Sequence, residues 1–543
     1  MKIHCLVLGF AIASAGVAVK ANDSIKPKGP EEDGTKSALT RIAGEGMMGS
    51  RAFEYLTELS DDIGPRVTGS PQDKKAVDWG LSKMKSIGLE NVHTEKWTMW
   101  KGWTRGAASA ELIAPVQRQL DIDAMGWTGS TPSGGAEADL VTANLFNLDD
   151  EIKNISRFRG KIVMMKPEGN PKKSFWLIFA QYGDFLTAAQ KAGAVAVIGG
   201  QGGFKAEGMH LTHTGILGFA EDFAIPVVDM AMEDQSQLER FLEAGKTVRL
   251  RINVQNTLTG GPVESANVVG DIVGREHPEE IVVVGAHLDS WDLGEGTTDN
   301  GTGTISVLAA ADAILKSGQR PRRTIRFVLF TGEEQGLLGS LAYVKQHAAE
   351  MKNHLGDIVL DAGQGPIKEF QLGGRNDLIA VFEPFAKSLN NIREIKVTDK
   401  VEFGTDTGPF ILAGLPGINL DQESPEYKFT HHSAADALEE VKADVLTQNA
   451  TIMALAAYWL ADRPERGPHG PGSGEPGPPL VALRLEDVGI ELEALAVLRV
   501  RVGDVEGGQP VDRLPAGRRG GPLLEVAVGD DVLAVLFRVG GRD

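Results

Sequence analysis

The chain has 543 residues, of which 42% are hydrophobic and 24% charged, an ordinary composition for a soluble protein of two or three domains. Its formal net charge of −19 argues against a nucleic-acid partner, because nucleic-acid-binding surfaces are basic. The only cysteine, Cys5, lies in an N-terminal apolar segment. A chain processed after that segment has no thiol, so disulfides are excluded and any metal must be held by nitrogen and oxygen ligands.

The N-terminus has the pattern of a signal peptide. Met1-Lys2-Ile3-His4 precedes an apolar run over 5–19, which is short for a membrane span but suits a signal-peptide core. We therefore predict a signal peptide over residues 1–21 and a secreted or periplasmic protein. Ala13-Ser14-Ala15 is a competing cleavage site. No other apolar run is long enough to cross a bilayer, so we expect no membrane span.

The next segments divide into a lead-in, two helices and a β-rich unit. Residues 22–45 are polar with Pro, Gly and Lys, which predicts a flexible lead-in. Helical spacing predicts helices at about 50–60 and 72–87. From 105 to 260, short β-like runs alternate with Gly and Asp/Asn turns, and only two segments, at about 181–192 and 233–244, have helical spacing. This change of pattern predicts a separate unit.

From about residue 265 the pattern alternates between strand and helix. Strands are predicted at 280–286, 324–330 and 357–360, with helices at about 302–317 and 337–348 between them. This order predicts an α/β fold with a largely parallel β-sheet flanked by helices. The later elements predicted are a helix near 376–389, a short strand near 394–398 and a closing helix at about 442–460.

The composition changes abruptly after Arg466. Residues 467–543 contain no Lys, Asn, Trp or Tyr and are rich in residues that GC-rich codons encode. We interpret this low-complexity tail as a frameshifted or otherwise aberrant reading of the end of the gene. A weakly folded appendage is the alternative.

Acidic and histidine residues follow each of the three predicted parallel strands. His287 and Asp289 follow the first, Glu333 and Glu334 the second, and Asp361 the third. Because the carboxyl ends of parallel strands border the ligand crevice of an open α/β sheet, these side chains should converge.

Two loops add further candidates. A glycine-rich loop over 294–303 carries Asp299 just before a helix, and His432 lies in a polar loop before the closing helix. The glycine loop has neither the Walker A nor the dinucleotide-binding pattern. A Glu-Glu pair is usually a solvated face and Asp299 alone would be a helix cap. Together these residues favour a metal site, in which one carboxylate free of metal can accept a proton from water.

Four segments resemble metallopeptidase family 28, the co-catalytic zinc exopeptidases, and the likeness runs from about residue 50 to 465. The segments are His287-Leu288-Asp289-Ser290-Trp291-Asp292, Thr298-Asp299-Asn300-Gly301, Thr331-Gly332-Glu333-Glu334-Gln335-Gly336 and His431-His432-Ser433. The resemblance implies a zinc peptidase domain over 46–104 and 261–466 and a cofactor of two Zn²⁺.

The resemblance also assigns roles. It implies that one zinc is held by His287, Asp299 and Glu334 and the other by Asp361 and His432, with Asp299 bridging both. Glu333 would be the general base, and Asp289 would orient His287 by accepting its other ring proton. Of the two adjacent histidines, His432 rather than His431 matches the ligand, and Asp436 fits a supporting position behind it.

The inserted region at 105–260 resembles a protease-associated domain that roofs the cleft, with a purely structural role as the alternative. Thr405 and Asp406 resemble a family segment near the substrate pocket. His213 could reach substrate if the inserted region folds back over the catalytic centre; otherwise it is a loop or packing histidine.

The function implied is zinc-dependent hydrolysis of dipeptides or short peptides with free termini, as an aminopeptidase or dipeptidase, through a water activated by two metals. A homodimer is a further family inference. The alternatives are a glutaminyl cyclase-like acyltransferase with a single zinc and a receptor-like homologue without catalysis. A zinc count of two, one or none separates these three.

Overall fold

The computed structural model describes residues 30–171, 173, 175–199, 209–217, 222–466, 523–529 and 532–538. The predicted signal peptide lies outside these residues, and so does most of the 467–543 tail. Within the tail the structure describes two antiparallel strands, Leu523–Gly529 and Val532–Arg538. The aberrant origin of the tail stays a prediction.

The described residues form twelve α-helices, α1 (Pro30–Met48), α2 (Ala52–Thr57), α3 (Pro71–Ile87), α4 (Leu148–Lys153), α5 (Phe175–Ala192), α6 (Met232–Glu243), α7 (Thr302–Lys316), α8 (Leu338–Gln346), α9 (Ile379–Ser388), α10 (Thr407–Leu412), α11 (Tyr427–Thr430) and α12 (Ala443–Asp462). The strands before the tail are β1 (Glu90–Met99), β2 (Trp103–Thr104), β3 (Ala108–Ala114), β4 (Arg118–Leu120), β5 (Ile122–Ala124), β6 (Ala136–Asn144), β7 (Ile162–Lys166), β8 (Ala196–Ile198), β9 (Val227–Met230), β10 (Arg249–Val254), β11 (Thr257–Leu258), β12 (Val263–Ile272), β13 (His277–His287), β14 (Arg323–Phe330), β15 (His354–Val359), β16 (Ile367–Gln371), β17 (Lys396–Thr398) and β18 (Gly417–Gln422). The tail strands are β19 and β20.

Eight strands form the main sheet, in the order β1-β12-β14-β13-β15-β18-β16-β17. Its centre is parallel, because β13 pairs in parallel with both β14 and β15, and β15 pairs in parallel with β18. The β1, β12 and β14 side is antiparallel. The predicted α/β class is confirmed, and the sheet is mixed with a parallel core.

Helices cover both faces of the main sheet, and the alternation of side chains along β13 shows this. Val282 and Val284 pack into the core that includes helices α7 and α12, while Ile281 and Val283 pack with α8 and α10. Successive strand residues point to opposite faces. Because both faces are buried, the central strands are almost continuously apolar, which is why their positions could be predicted from the sequence.

A second eight-stranded sheet, in the order β4-β3-β10-β6-β7-β8-β9-β5, lies within the inserted region. We call residues 105–260 the inserted unit and the other described residues up to 466 the main unit. The chain enters and leaves the inserted unit side by side, because β2 and β11 pair antiparallel in a short ribbon. The assignment of this unit as a protease-associated domain stays a prediction.

The predicted flexible lead-in over 22–45 is wrong for the part that the structure describes, because α1 covers Pro30–Met48. Ala38 and Ile42, one helical turn apart, are buried in the core against α12 and α7. The polar composition of this segment hides a short apolar stripe, and tertiary packing supplies most of the stability of such a helix. None of the helices in the described ranges combines the length and apolar character that a bilayer crossing requires.

Candidate metal centre

The carboxyl ends of β13, β14 and β15 lie side by side, as the sequence predicts. His287 is opposite Phe330 in the parallel β13–β14 pair, and Gly285 is opposite Val359 in the β13–β15 pair. The residues that follow Phe330 and Val359 therefore emerge next to His287. The predicted convergence of the strand-end side chains is confirmed.

Gly332 turns the chain sharply where β14 ends. Its φ of +77° is a conformation that favours glycine, and a Cβ there would lie 2.5 Å from the ring of Trp97. This turn directs the next two residues, Glu333 and Glu334, to the edge of the sheet.

The candidate ligands form two groups that share Asp299. In the His287 group, His287 Nε2 lies 3.2 Å from Asp361 Oδ1 and 3.4 Å from Asp299 Oδ1. In the His432 group, His432 Nε2 lies 2.9 Å from Glu334 Oε2 and 3.3 Å from Asp299 Oδ2. Asp299 thus offers one oxygen to each group, as a bridging ligand would.

The grouping differs from the expected one. The family resemblance implied that Glu334 joins His287 and that Asp361 joins His432, and the structure exchanges these two carboxylates. The reason is sheet geometry. Both β14 and β15 pair directly with β13, but Asp361 follows β15 closely and stays beside His287, whereas the turn at Gly332 after β14 carries Glu334 to the His432 loop.

The chemistry of both histidines fits a metal. His287 Nδ1 lies 3.0 Å from the carbonyl oxygen of Asp289, and His432 Nδ1 lies 3.1 Å from that of Thr214. Because a carbonyl only accepts hydrogen bonds, each Nδ1 of a neutral ring carries the hydrogen and each Nε2 presents a lone pair to the carboxylates. A cation between them satisfies both sides.

The surroundings of the carboxylates also fit a bound cation. Asp299 Oδ2 and Glu334 Oε1 are buried and make no hydrogen bond to any described residue. Burial raises the pKa of Glu334, and the neighbouring carboxylate of Asp299 raises it further. Burial opposes a charge on His287, but Asp361, Asp289 and Asp299 outweigh it and raise the pKa of the imidazole. The pocket therefore favours added positive charge.

His431 lies beside this site without matching the geometry of His432. The two rings stack with centroids 3.6 Å apart, and His431 Nε2 is 4.0 Å from Asp299 Oδ2. Burial lowers the pKa of His431. The shorter distance of His432 to Asp299, together with its contact with Glu334, supports His432 as the ligand.

Glu333 lies next to both groups but belongs to neither. Burial raises the pKa of its carboxyl group; His287 opposes this shift, and Asp361 and Glu334 add to it. The side chain is partly exposed. A carboxyl group that lies beside both ligand groups and belongs to neither is free to accept and return a proton.

Asp289 links His287 to Glu333, although differently from the expectation. The acceptor nearest to His287 Nδ1 is the backbone oxygen of Asp289 at 3.0 Å, and the carboxylate is 3.6 Å away. That carboxylate accepts hydrogen bonds from the Glu333 backbone N–H at 3.3 Å and the Thr68 hydroxyl at 2.9 Å. Asp289 therefore positions both residues.

Asp436 supports the loop of Asp299 rather than the ring of His432. Its carboxylate accepts hydrogen bonds from the backbone N–H groups of Thr298 at 2.6 Å and Asp299 at 3.3 Å. Burial raises the pKa of Asp436 to about 7. These two contacts hold the candidate bridging ligand in place.

Thr405 and Asp406 lie just before α10 and are both buried. Burial raises the pKa of Asp406 to about 7; His287 opposes the shift, and Asp361 and Asp289 contribute to it. Asp406 is thus electrostatically coupled to the His287 group but is not one of its members. Its expected place in a substrate pocket stays a prediction.

The inserted unit reaches the metal centre through His213 and Thr214. His213 pairs with Ser433 in an isolated antiparallel bridge, and His213 Nδ1 lies 2.7 Å from the carbonyl oxygen of His431. The Thr214 N–H donates to the carbonyl of His432 at 2.9 Å. His213 is only 5% exposed, and burial lowers its pKa. The inserted unit therefore folds back onto the His432 loop.

Three further residues at this site were not predicted. The buried guanidinium of Arg66 donates to backbone carbonyls of Leu288, Gly296 and Glu295 around the ligand loops. The Trp291 indole donates to Glu334 Oε2 at 2.7 Å.

The third residue is Tyr427: burial raises the pKa of its hydroxyl, and the nearby carboxylates of Asp299, Asp361 and Glu334 raise it further. The position of Trp291 within the His287 motif was an available signal. A single arginine in a turn and a tyrosine before the His432 motif gave none.

Comparison with known proteins identifies relatives that match most of the chain. The family model for peptidase family M28 matches residues 267–457. Carboxypeptidase Q from Mus musculus is 30% identical over 472 residues, which cover 86% of this chain and 98% of the relative.

Solved structures show the same fold. A peptidase M28 precursor from Shewanella amazonensis has a TM-score of 0.70 at 29% identity, covering 80% of this chain and 98% of that one. A zinc aminopeptidase from Bacillus subtilis, at 23% identity and a TM-score of 0.58, covers 76% of this chain and 95% of its own and shares the fold. A 30% identical relative covered over nearly its whole length shows the family: the chain belongs to peptidase family M28 and is a metallopeptidase.

Proposed function

We propose that this metallopeptidase is a zinc-dependent exopeptidase that hydrolyses dipeptides or short peptides with free termini and uses two metal ions. The observation that carries the proposal is the pair of ligand groups around Asp299, which gives one carboxylate oxygen to each. With His287 and Asp361 on one side and His432 and Glu334 on the other, every ligand is an imidazole or a carboxylate, as zinc accepts. The zinc named for the Bacillus subtilis relative supports the choice of metal.

Two bound zinc ions would polarise the scissile carbonyl and lower the pKa of the attacking water. Glu333 would accept the proton of that water and deliver it to the leaving amine. It is free for this task because Glu334 is the neighbour that faces His432. Asp289 accepts a hydrogen bond from the Glu333 backbone N–H and would thereby keep the Glu333 carboxylate in place.

The inserted unit supports an exopeptidase rather than an endopeptidase. Its Thr214 is bonded to the backbone of His432, so it lies against one side of the centre, where it would limit the length of a bound chain. The names of relatives, carboxypeptidase Q and leucine aminopeptidase 2 of Trichophyton equinum, also support cleavage at chain ends. His213 and Asp406 are proposed to contribute to the substrate pocket.

A peptide panel combined with a metal count tests this function. We expect hydrolysis of free dipeptides and tripeptides, loss of activity with a chelator, and about two zinc ions per chain by elemental analysis. Equal rates on N-blocked and free peptides would contradict the aminopeptidase-type activity. One zinc per chain together with cyclisation of N-terminal glutamine would favour the glutaminyl cyclase-like alternative.

Export and a homodimer are also proposed. N-terminal sequencing of the protein recovered from the culture medium or periplasm should begin at Asn22. Light scattering of the purified chain should give twice the chain mass. A protein retained in the cytoplasm, or a monomer, would contradict the respective proposal.

A further inference from the structure

The two ligand groups differ in which part of the chain holds them. In the His287 group, His287 Nδ1 contacts the Asp289 carbonyl, and the Thr304 hydroxyl donates to the His287 carbonyl at 2.6 Å. Asp299, which both groups share, is held by Asp436. All of these partners belong to the main unit.

The His432 group depends on the inserted unit. The backbone of Thr214 bonds His432 twice, because its carbonyl is 3.1 Å from His432 Nδ1 and its N–H donates to the His432 carbonyl. Glu334, the other member, is held by the indole of Trp291. This indole N–H donates to the same oxygen, Oε2, that faces His432.

Trp291 is itself held by the inserted unit and the ribbon that leads into it. Its ring makes edge contacts with Trp127, at a centroid distance of 6.1 Å, and with Trp103 at 6.3 Å. A Cβ on Gly126 would lie 2.5 Å from the Trp291 ring, so the backbone of the inserted unit abuts it. Trp291 is 4% exposed and cannot reorient without displacing these rings.

An ion pair with the inserted unit also holds Asp292, the residue after Trp291. Arg105 makes a bidentate contact to Asp292, donating from Nη2 to Oδ1 at 2.7 Å and from Nε to Oδ2 at 3.0 Å. Arg105 Nη2 also donates to the Thr214 hydroxyl at 2.9 Å. One guanidinium thus joins the segment that carries Trp291 to the segment that bonds His432.

We propose that Trp291 is a positioning residue through which the inserted unit sets metal binding at the His432 group and leaves the His287 group unaffected. This inference rests on the proposed two-metal function. A hydrogen bond to a carboxylate ligand orients it, and removing such a partner typically weakens metal binding about 10–100-fold. The zinc affinities of the His287 group and the His432 group should therefore respond differently to substitutions at the boundary between the inserted unit and the main unit.

The test is a zinc titration of full-length metal-free protein in competition with a chromophoric chelator. Trp291→Phe keeps a ring and deletes the donor. We expect one of its two affinities to fall about 10–100-fold and the other to match the wild type. Glu334→Ala removes a ligand of the His432 group, and Asp361→Ala removes a ligand of the His287 group. Comparison with these two variants identifies which zinc position keeps the wild-type affinity in Trp291→Phe.

Trp100→Phe is the matched control. Trp100 packs beside the same tryptophan rings, contacts Trp127 at a centroid distance of 5.6 Å, and its indole nitrogen makes no hydrogen bond to any described residue. Its substitution should leave both zinc affinities unchanged. If Trp100→Phe weakens the His432 position as much as Trp291→Phe does, packing rather than the indole donor is responsible and the inference fails.

Three further outcomes are decisive. Wild-type affinities at both positions of Trp291→Phe, or an equal loss at both, would overturn the inference while leaving the two-metal function intact. A wild type that binds one zinc would overturn the proposed function and the inference with it. If Trp291→Phe does not fold, benzothienylalanine at position 291 keeps the two-ring shape without the N–H, and the same loss at one position is expected.

Discussion

Glu333 and Glu334 are chemically identical neighbours whose surroundings separate their roles. Glu334 is buried, and its Oε2 faces both His432 and the Trp291 indole. Glu333 is partly exposed and its backbone is tied to Asp289. Burial raises the pKa of both carboxyl groups, but only Glu334 is placed to satisfy an imidazole lone pair through a shared cation.

Substitution of each glutamate should therefore have a different effect. We expect Glu333→Gln to keep both zinc ions and to lower kcat by about 10²–10⁴, because it removes the proton acceptor and leaves the ligands unchanged. Glu334→Ala should lose one zinc. Elemental analysis and steady-state kinetics measure the two effects, and near-normal turnover by Glu333→Gln would refute its role as base.

His354 makes a separate contribution, through the pH dependence of stability. It is buried at the start of β15, where its Nε2 lies 3.0 Å from the Tyr343 hydroxyl and its Nδ1 is 3.0 Å from the Glu350 carbonyl. Burial lowers its pKa to about 4. Between pH 6.5 and 4 the unfolded chain therefore binds a proton that the folded chain does not, so this residue makes the protein less stable as pH falls.

His354→Gln, which keeps an acceptor for Tyr343, should remove that dependence. We expect the free energy of unfolding of the wild type, relative to the variant, to fall by about 3 kcal/mol between pH 7 and pH 4. Urea unfolding at a series of pH values measures it. The exposed His277→Gln is the control and should leave the slope unchanged. A wild type and a His354→Gln variant with parallel profiles would contradict the argument.

Among the elements, helix α1 shows how a short apolar stripe can fix a polar segment. Ile42 is fully buried and packs in the core that α7 and α12 form. We expect Ile42→Ala to lower the free energy of unfolding by about 2–5 kcal/mol, the usual effect of removing a buried aliphatic side chain. Arg41→Ala, exposed on the same helix, should change it by less than about 0.5 kcal/mol.

Calorimetry or urea unfolding separates these two variants. Equal stabilities of Ile42→Ala and the wild type would show that α1 does not dock in solution. Since none of the hydrogen bonds found among the described residues joins α1 to a candidate metal ligand, turnover of both variants at low temperature should equal that of the wild type.

The elements that could be predicted share a local signal. The central strands β13 and β14 are continuous apolar runs, and α7 and α12 have regular helical spacing. Strand β1 could not be predicted in this way, because its first half is mostly polar and not buried, and its partner β12 lies beyond the inserted unit. The pairing depends on contacts distant in the sequence, which local patterns do not show.

At the scale of the whole molecule, the metal centre joins segments from across the chain. Removing zinc would leave Asp299, Glu334 and Asp361 close together without a cation. We expect chelator-treated protein to be folded but less stable, and added zinc to raise the free energy of unfolding by about 2.7 kcal/mol at 100 times Kd for each position.

Thermal unfolding in increasing zinc measures this shift. Glu334→Ala, with one position lost, should show a smaller maximum shift than the wild type. A melting temperature that does not depend on zinc would contradict a bound metal in the folded state.

The sequence predicts which residues form the site, but it does not predict how these residues are grouped within it. The ligand residues converge because they follow neighbouring strands, which the alternation of strands and helices already implies. The pairing of Asp361 with His287 depends on strand order, and the contact of Thr214 with His432 depends on how the inserted unit docks. Neither contact can be predicted from a local sequence pattern, because each joins residues that are distant in the sequence.

The paired entry and exit of the inserted unit have a consequence for the order of folding during synthesis. The inserted sheet is complete at Val254, before any strand of the parallel core of the main sheet has been made. Its folding brings β2 against β11 and so draws the ends of β1 and β12 together, which lowers the entropic cost of closing a long loop. On the ribosome the inserted unit would act as a template, presenting a ready-made β1–β12 hairpin on which the later strands of the main sheet assemble.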